Sequence, residues 1–136
     1  MSVTMGEDFP IVCELDVASV GGFAMREAER LGFPSQKAYR LATAVTELAN
    51  NLLHHAYPGG TIRLDRIEQG EREAIQISAA DNGPGIADVG LAMTDGYSTN
   101  CGLGAGLPGA RRLMDDFSIE SAVGVGTRIV ARLWRS

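Results

Sequence analysis

Glu47 and Asn51 stand four residues apart in a stretch whose apolar positions recur at helical spacing, so both project from one helix face, with His55 a turn further on. A carboxylate in that place can act as a general base, and the amide oxygen beside it suits a hard cation such as Mg²⁺. Asp81-Asn82-Gly83-Pro84-Gly85 closes an alternating apolar segment. An aspartate there can accept a hydrogen bond from an exocyclic amine, while its glycines let a flat base approach the backbone. Gly102-Leu103-Gly104-Ala105-Gly106-Leu107 opens a further helix, where bare N–H groups and the partial positive charge of the helix end attract phosphate.

Other phosphate chemistries fail on the same residues. A Walker P-loop needs a lysine directly after its glycines, and the only lysine is Lys37. Gly104 to Gly109 fits G-x-G-x-x-G, but a loop precedes it and no acidic residue follows Glu120, so a Rossmann site is excluded. His54 and His55 are adjacent, hence about 100° apart on a helix, and cannot chelate one metal together. Cys13 and Cys101 form neither a disulfide framework nor a zinc site and read as reduced thiols.

The elements that must hold these groups follow from periodicity. Asp8 to Leu15 predicts a short strand, after which Asp16 caps a helix with Val17, Val20, Ala24, Ala28 and Leu31 on one side, ended by Gly32. Ser35 caps a longer helix whose stripe of Ala38, Leu41, Val45, Leu48 and Leu52 runs to Ala56, where Pro58-Gly59-Gly60 stops it. Thr61 to Glu68 and Glu73 to Ala80 predict a hairpin. Residues 81–109 hold eight of the 17 glycines, a density that marks a functional or disordered segment. A helix from about Gly104 to Asp116 and strands Phe117 to Ala122 and Thr127 to Trp134 complete the chain. That order predicts an α+β two-layer sandwich, helices on one face of a mostly antiparallel sheet and the other face left to solvent or a partner.

With 136 residues the chain is expected to form one domain. Its net charge of −5 disfavours nucleic acid as a partner. No apolar run reaches membrane-spanning length and no signal peptide precedes Phe9, so a cytoplasmic protein without a membrane partner is expected.

These residues resemble the GHKL (Bergerat-fold) ATP-binding domains of gyrase, Hsp90, histidine kinases and MutL. Glu47 to Asn51 stands as the N box, Asp81 to Gly85 as the first glycine box and Gly102 to Gly106 as the second, with Gly124-Val125-Gly126-Thr127 behind them. The resemblance implies that Asn51 holds Mg²⁺ and Asp81 receives the adenine amino group with support from Thr127. It further implies that Gly83, Gly85, Gly102, Gly104, Gly106 and Leu107 contact ATP, and that residues 86–101 form an ATP lid over a single domain spanning 1–136.

Within that family the chain looks like the RsbT-type switch kinases of the bacterial stressosome, through Asp95-Gly96-Tyr97-Ser98-Thr99, Gly102 to Gly109 and Arg112-Leu113-Met114-Asp115. The resemblance implies serine/threonine phosphorylation of STAS-domain scaffold and antagonist proteins, then activation of a PP2C-type phosphatase. Glu47, one helical turn from Asn51, is the candidate general base. Residues 86–104 contain no Arg or Lys, where anti-sigma kinases carry a lid arginine. Either Arg111 or Arg112 substitutes, or turnover is slow, or the chain is chiefly a nucleotide-gated anti-sigma-type interaction module.

Overall fold

The computed structural model describes residues 2–55, 60–81, 103–122 and 126–136. Strand β1 (Ser2–Ile11) leads through Val12 and Cys13 into helix α1 (Glu14–Arg30). The strand begins earlier and ends sooner than the expected Asp8 to Leu15, which moves the helix start. Cys13 is the N-cap, and Asp16 lies at the third helical position rather than at the cap. From there its carboxylate accepts the Val12 and Cys13 N–H groups at 2.9 and 3.1 Å, together with the Cys13 thiol. It thus satisfies donors that a helix start leaves open, in the manner of the third residue of a capping box.

The Val12 hydrogen bond, with smaller contributions from Cys13, holds the Asp16 carboxyl below its ordinary value of 3.8. A carboxylate depressed in the folded state stabilises the fold above its unfolded pKa, and that contribution disappears as pH falls through the folded value. Protection of the amides of residues 12–16, with exchange taken relative to the intrinsic rate at each pH, is therefore expected to fall below about pH 4. Asp16→Asn should remove that pH dependence, and a profile identical in wild type and variant would contradict the assignment.

After Gly32, whose φ of 84° only glycine adopts freely, comes α2 (Ser35–His55), the longest helix. Its predicted stripe is its buried side: Ala38, Leu41, Val45 and Leu48 are fully enclosed and Leu52 nearly so. The expected continuation to Ala56 lies outside the described residues. The predicted hairpin is β2 (Gly60–Gln69) and β3 (Arg72–Asp81), paired from Gly60↔Asp81 to Gln69↔Arg72, with Gly70 at φ 63° in the turn. Helix α3 (Leu103–Leu113) stops short of the expected Asp116. Asp115 already donates its N–H to the Arg132 carbonyl at 3.0 Å, so the chain has joined the sheet before β4 (Asp116–Ala122) formally starts. The last strand, β5 (Gly126–Trp134), pairs with both β4 and β3.

The sheet order is β1-β2-β3-β5-β4 with every neighbouring pair antiparallel, and the helices lie on one face, the predicted α+β arrangement. Alternation sends Ile62, Leu64, Ile75, Ile77, Ala79, Ile129, Ala131 and Leu133 into one core with the helices. Helix α2 is central, packing against α1, α3 and the strands. The α1 contact is close: a Cβ added to Gly21 would sit 2.8 Å from the Thr46 hydroxyl oxygen.

The opposite sheet face carries no helix among the described residues and closes itself with charge and one aromatic ring. Arg63 pairs with Asp8 and Asp65, Arg132 donates to Gln76, and Trp134 lies over Ile67 and Ala74 beneath the guanidinium of Arg72, 4.2 Å from the ring centre. Edge strand β1 is interrupted by a bulge between Thr4 and Glu7, where Gly6 donates to the buried Asp65 carboxylate. Such a break blunts an otherwise open edge.

Candidate nucleotide site

One end of the sandwich gathers the ends of most elements. There β1 and β3 finish, β2 and β5 begin, α1 starts and α2 ends, because Ile11, Gly60 and Asp81 lie side by side in the register. Asp81 is the last residue of β3 and, by alternation with Ile77 and Ala79, projects to the helix side. Its Oδ1 accepts the Thr127 backbone N–H at 3.2 Å. The Thr127 main chain thus helps to hold the Asp81 carboxylate at the strand end. A carboxylate oriented by backbone presents a fixed acceptor to a donor arriving from the helix side.

Glu47 and Asn51 lie one turn apart on α2, about a third of a turn round from Thr46, the side that meets α1. Both are half-buried. The Asn51 side-chain nitrogen is buried and has no hydrogen-bond partner among the described residues. A buried N–H₂ without an acceptor costs on the order of 1–3 kcal/mol. It is tolerated most readily where a ligand supplies the partner, and rotation of the amide can present its oxygen to a cation in the same place. Asn51 therefore fits a role toward Mg²⁺ and phosphate. His54 is exposed, and His55 is the last residue of the helix.

Gly104, Gly106 and Leu107 occupy the first turns of α3, whose opening four N–H groups have no acceptor within the helix. That is the expected phosphate-binding position. Gly83, Gly85, Gly102 and the segment 86–101 lie outside the described residues, as does Cys101. Arg111 and Arg112 are exposed in the last turn of α3, roughly 12 Å along its axis from Leu103. Both therefore stand at the opposite end of α3 from its first turn.

Two glycines stand beside Asp81 and Thr127 in the strands. Gly60 is not merely the stop after the long helix but the strand partner of Asp81. Gly126 opens β5 at a φ of 123° immediately before Thr127, so the backbone donor that holds Asp81 follows a conformation other residues resist. Gly126→Ala is expected to lower stability by about 1–3 kcal/mol and to weaken ATP binding, as a denaturation curve and a titration would show.

Residues 10–133 match the family described as histidine kinase-like ATPase domain. The chain belongs to that family, and with membership comes ATP binding. It is 42% identical over 125 residues to "Serine/threonine-protein kinase RsbT" of Bacillus subtilis (strain 168), covering 91% of this chain and 92% of that one. Identity of that extent supports serine/threonine-protein kinase activity in this chain. Among solved structures it is similar to "Mycobacterial sensor histidine kinase MprB", with a TM-score of 0.59 over 95% of this chain and 97% of that chain. At 18% identity that likeness speaks for the fold. Among the described residues no helix is long and apolar enough to cross a membrane.

Proposed function

We propose that residues 1–136 act as one cytoplasmic kinase domain that transfers the γ-phosphate of ATP to a serine or threonine of STAS-domain scaffold and antagonist proteins. The kinase then leaves that partner and binds and activates a PP2C-type phosphatase, as in stressosome partner switching. The observation that carries the site reading is Asp81, fixed by the Thr127 N–H at the end of the sheet where α2 also ends.

In this reading Asp81 accepts the adenine amino group, and the opening N–H groups of α3, with Gly104, Gly106 and Leu107, hold phosphate oxygens. Asn51 holds Mg²⁺ through its side-chain oxygen; when bound, the ion neutralises phosphate charge. Glu47 accepts the proton of the incoming hydroxyl as its oxygen attacks the γ-phosphorus and the bond to ADP breaks. Gly83, Gly85, Gly102 and the lid at about 86–101 complete the ATP contacts.

Partner exchange tests the reading. A STAS-domain protein from a neighbouring gene is incubated with this chain and Mg-ATP, and complexes are followed by size-exclusion chromatography with the phosphatase present. The expected result is a phosphorylated STAS protein, loss of its complex with the kinase, and a new kinase–phosphatase complex. Nucleotide-dependent binding with no phosphate gained would favour the nucleotide-gated interaction module instead.

A further inference from the structure

We propose that Gly60 is a positioning residue for the nucleotide, setting how closely the α2 turn that carries Asn51 approaches the strand end that carries Asp81; this rests on the nucleotide reading above. Gly60 is hydrogen-bonded into the sheet between Ile11 of β1 and Asp81 of β3. Its φ is not positive, so space and not backbone conformation is what demands glycine. A Cβ built there would fall 2.4 Å from the Ala80 carbonyl oxygen and 2.7 Å from Cδ2 of Leu52. Both neighbours are next in sequence to a site residue, Ala80 to Asp81 and Leu52 to Asn51. Leu52 is 5% exposed, so its methyl has no open space into which to retreat.

A methyl group at Gly60 must therefore either part β2 from β3 beside Asp81 or lift the last turns of α2 from the sheet beside Asn51. ATP, held by its base at one group and through its phosphates at the other, responds to either displacement. Gly109, in α3, offers the contrast, since a Cβ there meets nothing within 4 Å among the described residues.

Mg-ATP affinity is to be measured by calorimetry on Gly60→Ala, Leu52→Ala, the double variant, Gly109→Ala and Asp81→Asn, at a temperature where circular dichroism shows each folded. Gly60→Ala is expected to lose about tenfold or more in affinity, because small misplacements of binding groups are amplified. Adding Leu52→Ala should restore part of the loss, and Gly109→Ala should bind as wild type. A folded Gly60→Ala with wild-type affinity would overturn the proposal, as would a loss that Leu52→Ala leaves untouched. If Gly60→Ala alone fails to fold, the double variant is compared with Leu52→Ala. Weaker binding by the double supports positioning through Ala80, and equal binding overturns it. Asp81→Asn with undiminished affinity would refute the nucleotide reading itself, whereas its loss beside an unaffected Gly60→Ala refutes positioning alone.

Discussion

Glu47→Ala is expected to bind Mg-ATP and the STAS-domain partner as wild type does, while phosphate transfer slows by about 10²–10⁴-fold, the usual contribution of a positioned general base. The side chain is half-buried on the flank of α2, its helix is anchored by Leu48 and Leu52 in the core, and alanine is the best helix former. The fold should therefore survive, which isolates the chemical step. Intact-mass spectrometry of the partner over time gives the rate. Transfer at the wild-type rate would remove Glu47 from the base role and leave positioning and charge neutralisation as the whole of the catalysis.

Asp81→Asn should have the larger effect on binding. The substitution keeps the shape but replaces a carboxylate with an amide whose N–H₂ can face the Thr127 N–H or the adenine amino group, donor against donor. A charged acceptor is lost and a buried donor left unmatched, each worth about 1–3 kcal/mol, so affinity should fall by roughly two orders of magnitude or more. Calorimetry with Mg-ATP reads this directly, and an unchanged dissociation constant would refute the adenine assignment.

Where the chain speaks through period and punctuation, sequence and structure coincide. The stripe from Ala38 to Leu52 is the enclosed side of α2, and the Ile62/Leu64 and Ile75/Ile77 alternation is the helix-facing side of the hairpin. That Glu47 and Asn51 share one flank of α2 was legible because they stand one turn apart. What sequence misplaced were the joints. Aspartate favours the cap position, yet the Asp16 carboxylate serves equally from the third residue, reaching back to Cys13. Gly60 was legible only as a stop after the long helix, since a missing side chain shows what it makes room for only when its neighbours are known.

The most direct measurement is a crystal structure of the chain with Mg²⁺ and a non-hydrolysable ATP analogue. The expected result is the adenine amino group on the Asp81 carboxylate, the cation beside Asn51 and the terminal phosphate within reach of Glu47, between the start of α3 and the end of α2. An analogue bound elsewhere, or bound with its adenine away from Asp81, would contradict it.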